Sequence, residues 1–193
     1  MTHDDSTLDT RLNDGLRGRH ALTGHAPEWD LEALPEDPTA LFAAWLAAAD
    51  AAAVPEPHTA TLATVDAEGM PDARTLILKR VDERGWAIAS TRSSRKGTQL
   101  GAAPAAALNF WWQPQVRAVR VRGRVEEATA EESAADLAAR SPAARARVAD
   151  GDWVLWRIVP ERIEFWQGAR DRGHTRVVYV PVGPGWSHTV TVD

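Results

Sequence analysis

From residue 58 onward, the chain consists largely of short, alternating, β-branched segments that are separated by turns of hairpin length. Residues 58–65, 74–81 and 86–91 are predicted strands, and the DAEG and DERG sequences between them are typical of tight turns. The same pattern predicts further strands over residues 105–112, 116–127, 162–166, 177–180 and 188–192. Because few helical segments intervene, the sequence predicts a mainly β (α+β) fold, an antiparallel barrel rather than a sheet of βαβ units.

Helices are predicted at three places around these strands. Asp37 and Pro38 form an N-cap and first-turn pair, and an apolar stripe at helical spacing follows it up to Pro55. A short helix is predicted over 94–101, and an alanine-rich one over 129–147 with a break at Pro142. Residues 1–36 are polar and lack a sustained period, so we expect a flexible or loosely docked arm before a barrel domain over 37–193.

The composition excludes several classes of protein. Without cysteine, the chain has no disulfide, thiolate metal site or cysteine nucleophile, and no metal site is predicted. A net charge of -5 argues against binding to nucleic acid or to an anionic membrane. The acidic N-terminus lacks an apolar signal region, and no run approaches the roughly 20 apolar residues of a membrane span. We therefore expect a soluble, cytoplasmic protein that holds any anionic ligand with local clusters of Arg and Lys.

Two basic segments are candidates for such a cluster. Residues 93–97 (SSRKG) offer hydroxyls, two cations and backbone N–H groups at a predicted helix start, which suit a phosphate, although an ordinary capped helix would look the same. Arg74 and Lys79 fall on opposite faces of a predicted strand, about 16 Å apart, so only a long ligand could meet both. The alternative for this pair is two solvated cations.

Two further basic segments lie on later strands. After a Trp-Gln-Gly sequence, an extended chain would place Arg172, His174 and Arg176 on one face. This face is either an anion site or a solvent-facing stripe. In residues 117–125, arginines and valines alternate, which indicates a half-buried strand with a solvated or interface face rather than a nucleic-acid site.

In this order, the segments resemble the pyridoxamine 5′-phosphate oxidase family. The resemblance rests on residues 61–85 (TLATVDAEGMPDARTLILKRVDERG), 90–100 (STRSSRKGTQL), 116–128 (VRAVRVRGRVEEA) and 163–176 (IEFWQGARDRGHTR). It implies a homodimeric split β-barrel that binds FMN at the subunit interface. It also implies a hydride transfer from substrate C4′ to flavin N5, with O2 as acceptor, that yields pyridoxal 5′-phosphate and H2O2.

The resemblance also implies roles for individual residues. Arg95 and Lys96 would hold the FMN phosphate, and Lys79 and Arg140 would grip the substrate phosphate. Arg172 and His174 would form the catalytic pair that covers the pyridine ring. The remaining implied flavin contacts are Arg74, Thr75, Leu76, Ile77, Leu78, Lys79, Ser90 and Thr91, with Trp166 and Arg176 supplied by the other subunit.

The chain departs from the family pattern at three places. Ala118 replaces a glutamine that contacts the flavin, and Asp136 or Leu137 and Ala144 replace a tyrosine and a serine that contact the substrate phosphate. The segment between Arg147 and Trp153 is short. FMN binding is therefore the firmer prediction. Two alternatives stay open: an FMN oxidase of another aromatic metabolite, similar to the phenazine-biosynthesis oxidases, and a non-catalytic flavin-binding module.

Overall fold

The computed structural model describes residues 5–171 and 173–193, with side chains from residue 9 onward. Nine strands form the larger share of the regular secondary structure in this part of the chain. The helices are α1 (Asp5–Arg17), α2 (Pro38–Ala51), α3 (Arg95–Ala102), α4 (Ala130–Ala138) and α5 (Pro142–Arg145), with a 3-10 turn at Gln113–Gln115. The strands are β1 (Thr59–Val65), β2 (Pro71–Ile77), β3 (Arg80–Asp82), β4 (Gly85–Thr91), β5 (Ala105–Trp112), β6 (Arg117–Glu127), β7 (Trp153–Gln167), β8 (Thr175–Val182) and β9 (Gly185–Val192).

The strands form one antiparallel sheet in the order β2-β1-β5-β6-β7-β4-β3, to which β8 and β9 are added through β7. Every recorded strand pair is antiparallel, so the predicted antiparallel architecture is confirmed. No helix in the described ranges is long and apolar enough to cross a membrane.

The long strand β7 connects the two parts of the sheet. Its first half pairs with β4, from Trp153 opposite Thr91, and its second half pairs with β8. Strand β6 runs along most of β7, with a register shift at Gly123. A Cβ at Gly123 would lie 1.8 Å from the Val159 carbonyl oxygen, so only glycine allows the two backbones to approach this closely.

Helix α2 begins as the sequence predicts, because the Asp37 carboxylate accepts a hydrogen bond from the Thr39 amide at 2.8 Å. Its apolar stripe packs against the sheet. Trp45 makes an edge contact with Phe165 at 5.3 Å between ring centroids, and Phe42 lies 5.1 Å from Phe110. Tryptophan mainly fills the core: four of the nine are buried and Trp111 is the most exposed, at 45%.

The first 36 residues differ in structure along their length. Residues 5–17 form the helix α1, which the sequence analysis missed although Leu8, Leu12 and Leu16 recur in it at helical spacing. Residues after it contact the barrel: the Tyr179 hydroxyl donates to the Pro35 carbonyl at 2.9 Å, and Trp29 packs on Trp45 at 4.7 Å. The domain boundary at residue 36 stays a prediction, but the end of this segment lies against the core.

One predicted strand needs correction. Residues 74–81 do not form a continuous strand, because β2 ends at Ile77 and β3 begins at Arg80. Strand β2 pairs with β1, whereas β3 pairs with β4, so the chain changes neighbours at Leu78 and Lys79. The alternation of side chains continues through the break, so the local pattern could not reveal it.

Candidate functional site

The start of α3 presents two cations beside the end of β4. The Ser94 hydroxyl caps the helix by accepting a hydrogen bond from the Gly97 amide at 3.2 Å, and it lies 2.8 Å from the Ser90 hydroxyl. Arg95 and Lys96 therefore stand in the first turn, where the helix dipole favours an anion. Gly97 is required here, because a Cβ would lie 2.3 Å from the Thr91 carbonyl oxygen.

Arg74 joins this helix start to strand β2. Its guanidinium donates to the Gln99 side-chain oxygen on α3 at 2.8 Å and to the Thr64 hydroxyl on β1. The Asp72 carboxylate lies 2.9 Å from both Arg74 and Arg95. The structure thus brings Arg74 from one predicted motif close to Arg95 and Lys96 from another.

These side chains fit the phosphate of FMN. Lys96 has no ion pair or hydrogen bond from its ammonium group within the described residues. Burial, and then the charge of Arg74, lower the pKa of Lys96, and an incoming anion would oppose this shift by stabilising the charged ammonium group. Three cations face one carboxylate, and the group therefore carries a net positive charge on a chain whose net charge is -5.

The rest of the predicted 74–79 segment alternates in exposure. Thr75, Ile77 and Lys79 are exposed, whereas Leu76 and Leu78 pack against the core. The backbone amide of Lys79 donates to the Ala87 carbonyl of β4 at 2.8 Å, which fixes the chain where it leaves β2. This segment can therefore offer backbone and exposed side chains to a flat ligand while its leucines hold it on the barrel.

Arg140 lies at the same end of the sheet. Its guanidinium stacks over the Trp153 ring at 4.4 Å, and Trp153 is the register partner of Thr91. The buried Nε of Arg140 has no hydrogen-bond partner. Asp136 accepts a hydrogen bond from the Trp153 indole at 2.9 Å, so its carboxylate is engaged beneath Arg140 rather than offered to a ligand.

A second group of predicted residues gathers at the other end of β7. The rings of Trp166 and His174 lie 5.2 Å apart, and Trp111 approaches Trp166 at 6.2 Å. The Nδ1 atom of His174 accepts a hydrogen bond from the Ala169 amide at 3.0 Å, so the neutral imidazole carries its proton on Nε2. Arg172 lies outside the described residues.

Arg176, the cross-strand neighbour of Trp166, is held by a buried carboxylate that the sequence did not reveal. The Glu164 side chain is 2% exposed and accepts a hydrogen bond from Arg176 at 2.6 Å. It also binds Arg120 and Arg162. No local pattern indicated its burial, because alternation with the buried Ile163 and Phe165 places Glu164 on the opposite face of β7.

The structure does not bring the two groups together within one chain. The first group, around Arg74, Arg95 and Lys96, reaches β7 through the pairing of Thr91 with Trp153. The second group lies near Trp166, about 40 Å farther along the strand at roughly 3.3 Å per residue. No hydrogen bond, ion pair or ring contact joins the two groups within the described residues. This separation agrees with the expectation that Trp166 and Arg176 act from a second subunit.

Sequence reasoning also missed Arg117, which is 3% exposed on the core side of β6. Its guanidinium stacks on Trp45 at 4.1 Å and donates through Nε to the Gln167 side-chain oxygen at 2.7 Å. Burial without a carboxylate lowers the pKa of Arg117 to about 10. The sequence signal that could have identified Arg117 is its spacing of two residues from Val119, which places both side chains on the buried face of β6.

Comparison with known families gives two matches. The model described as pyridoxamine 5′-phosphate oxidase matches residues 46–167, and the model of the pyridoxine 5′-phosphate oxidase C-terminal dimerisation region matches residues 153–190. The pyridoxine/pyridoxamine 5′-phosphate oxidase of Bordetella petrii is 42% identical over 174 residues, which cover 75% of this chain and 83% of the relative. The enzyme of the same name from Thermosynechococcus vestitus is 38% identical, with 78% and 86% covered.

Solved structures share the fold. PhzG from Burkholderia lata, in complex with tetrahydrophenazine-1-carboxylic acid, superposes with a TM-score of 0.80 at 24% identity and covers 88% of this chain and 100% of that one. A pyridoxamine 5′-phosphate oxidase-related, FMN-binding protein from Nostoc punctiforme has a TM-score of 0.62 at 18% identity, with 83% and 99% covered. At these identities the likeness concerns the fold alone.

Proposed function

Because the chain belongs to the pyridoxamine 5′-phosphate oxidase family, we propose that it is an FMN-dependent oxidase that forms pyridoxal 5′-phosphate from pyridoxamine or pyridoxine 5′-phosphate. The observation that carries the proposal is the cluster of Arg74, Arg95 and Lys96 at the capped start of α3. It combines cations, hydroxyls and free amide groups where a flavin phosphate needs them.

In this proposal, the chain's own residues position the ligands. Arg95 and Lys96 bind the FMN phosphate, with Ser90 and Thr91 beside it, and the segment from Arg74 to Lys79 lines the flavin. Bound FMN supplies the redox chemistry, by accepting a hydride from substrate C4′ and passing the electrons to O2. The protein's contribution is to orient the substrate and place charge, so no nucleophilic side chain is needed.

The substrate end uses the second group of residues. His174 offers its Nε2–H as a hydrogen-bond donor, since Nδ1 is occupied by the Ala169 amide. Trp166 and Arg176 close the flavin site, Arg172 completes the cover of the pyridine ring, and Lys79 and Arg140 hold the substrate phosphate. Because the two groups are separated along β7, we assign the complete site to a homodimer, in line with the matched dimerisation region.

Turnover and flavin binding test the proposal together. Purified protein supplied with FMN and pyridoxine or pyridoxamine 5′-phosphate in air is expected to yield pyridoxal 5′-phosphate and H2O2. Lys96→Ala is expected to weaken FMN binding about tenfold or more, because a charge-assisted phosphate contact is lost. His174→Asn is expected to lower kcat/KM about 10- to 100-fold with flavin content unchanged.

Arg11→Ala is the matched control for Lys96→Ala, because it removes a cation from the exposed helix α1. It is expected to change neither quantity. Absence of pyridoxal 5′-phosphate from a protein that holds FMN would reject the proposed substrate. Loss of flavin from His174→Asn would show that His174 belongs to the flavin site instead.

A second candidate is an FMN oxidase of a non-phosphorylated aromatic metabolite. The observation that favours it is the weakened substrate-phosphate site, where Ala144 has no hydroxyl and the Asp136 carboxylate is bound to Trp153. Rapid anaerobic bleaching of the bound flavin by such a metabolite, but not by pyridoxine 5′-phosphate, would favour this reading. Bound flavin that no substrate reduces would indicate a non-catalytic module.

A further inference from the structure

Asp72 places a negative charge among the cations assigned above to the flavin phosphate. We propose that this carboxylate competes with the phosphate for Arg95 and thereby limits how strongly the site prefers FMN over riboflavin. The inference rests on the proposed function, since it assumes that FMN is the ligand. It concerns a residue for which the sequence motifs suggested no role.

The geometry makes Asp72 the internal counter-ion of the cluster. Its Oδ2 atom lies 2.9 Å from the Arg95 Nε and 2.9 Å from an Arg74 terminal nitrogen, and it accepts a hydrogen bond from the Gln99 amide at 3.3 Å. Its Oδ1 atom accepts from the Ala73 amide at 2.9 Å. The carboxylate is therefore fixed on β2 with one oxygen directed at the cations.

The two arginines depend on Asp72 to different extents. Arg74 is also held by the Gln99 side-chain oxygen and the Thr64 hydroxyl, and its side chain is only 20% exposed. Arg95 is 77% exposed, and Asp72 is the one group with which its guanidinium pairs in the described ranges. A phosphate that binds Arg95 must therefore share this guanidinium with a carboxylate, or displace it.

The competition persists at neutral pH. The hydrogen bond from Gln99 and the charges of Arg74 and Arg95 keep the pKa of Asp72 below its ordinary value, so the carboxylate stays ionised. A flavin phosphate carries a charge of about -1.5 to -2 at pH 7 and is repelled by it. Riboflavin has the same ring and ribityl chain without the phosphate, so it does not experience this repulsion.

The test compares the affinities of the purified protein for FMN and for riboflavin, measured by quenching of flavin fluorescence. Asp72→Asn keeps the side-chain oxygen that accepts from Ala73 but removes the charge. It is expected to tighten FMN binding about three- to tenfold, as a like-charge contact of a few ångströms at a partly exposed site predicts. Riboflavin affinity is expected to change less than about twofold, because riboflavin has no phosphate for the carboxylate to repel. The gain for FMN should shrink at high salt.

Two variants complete the design. Asp50→Asn removes an exposed carboxylate from α2 and is expected to leave both affinities unchanged. Asp72→Ser is a second neutral replacement and is expected to change FMN affinity in the same direction as Asp72→Asn, with thermal melts of the flavin-free variants confirming that both are folded.

FMN binding that is unchanged or weaker in both Asp72 variants would overturn the inference, as would an equal gain for riboflavin. These outcomes leave the proposed function intact. If Lys96→Ala loses as much affinity for riboflavin as for FMN, the phosphate assignment itself is wrong, and the role proposed for Asp72 is wrong with it.

Discussion

Arg117 links the N-terminal segment to the strand that carries Trp166. Its guanidinium contacts Trp45 of α2, the Gln167 side chain at the end of β7, and the Glu28 carbonyl oxygen at 3.4 Å. These contacts need a planar cation with several donors, which lysine cannot supply. The residue therefore stabilises the place where the N-terminal segment, α2 and the loop before His174 meet.

Replacing Arg117 by lysine is expected to lower the free energy of unfolding by about 1–3 kcal/mol. The variant loses the stacking on Trp45 and the hydrogen bond to Gln167, and it buries a more strongly hydrated charge. Urea denaturation at a fixed protein concentration measures the change. Arg122→Lys, on the exposed face of the same strand, is the control and is expected to stay within about 0.5 kcal/mol. Equal effects of the two substitutions would contradict the role given to Arg117.

At the residue scale, the sequence indicated which side chains carry charge but not which ones meet. The capped start of α3 could be predicted, because Ser94 and the cations after it are local to one segment. The pairing of Asp72 with Arg74 and Arg95 could not be predicted, because it requires β2 and α3 to pack side by side. Glu164 was hidden for the same reason, since its arginine partners lie on three strands.

At the element scale, α4 is fastened to the barrel by its first turn. Thr129 and Glu132 form a capping box, in which each side chain accepts from the other's backbone amide. The Glu132 carboxylate also binds Arg84 and accepts a hydrogen bond from Arg157 at 2.8 Å. One carboxylate thus connects the helix start with β7 and with the turn between β3 and β4.

This arrangement predicts a defined loss of stability in acid. Arg84, the Thr129 amide and Arg157 lower the pKa of Glu132 from its ordinary 4.5 to about 2. A carboxyl whose pKa is depressed by folding stabilises the folded state above the unfolded pKa, and this contribution is lost as the pH falls from about 4.5 towards 2. Glu132→Gln should therefore flatten the decline in melting temperature over that range, whereas Glu68→Gln, in an exposed turn, should leave it unchanged. A decline as steep in Glu132→Gln as in the unaltered protein would contradict the assignment.

Elements were predictable where their signals are local. Helix α2, strand β4 and the break at Pro142 follow from caps, alternation and proline, and they appear within a residue or two of the expected positions. The 15-residue length of β7 was underestimated, because its continuity depends on pairing with β4 at one end and β8 at the other. Strand partners of this kind are set by tertiary packing and leave no mark on a short window of sequence.

At the scale of the whole molecule, a chain of net charge -5 carries local groups of cations on one antiparallel sheet and its helices. Two arginines pair with Asp72 at the start of α3, and three surround Glu164. The overall architecture followed from the sequence because alternation and hairpin turns recur along it. The separation of the two functional groups along β7 did not, because it depends on the length and pairing of one strand.

That separation has a genetic consequence. If each complete site takes Lys96 from one subunit and His174 from the other, then Lys96→Ala and His174→Ala damage different halves of the same site. When FMN is too dilute to load the Lys96→Ala site, co-expression of the two impaired variants should restore about a quarter of the wild-type activity, because half of the randomly formed dimers are mixed and each mixed dimer holds one undamaged site.

The control is co-expression of Lys96→Ala with Arg95→Ala, which damage the same half and should not rescue each other. Oxidase assays of co-purified, differently tagged subunits measure the result. Activity no higher than that of either variant alone would mean that each polypeptide assembles its site unaided. Rescue would make oxidation a property of the pair, so that a defective copy can be tolerated when its partner carries the complementary lesion.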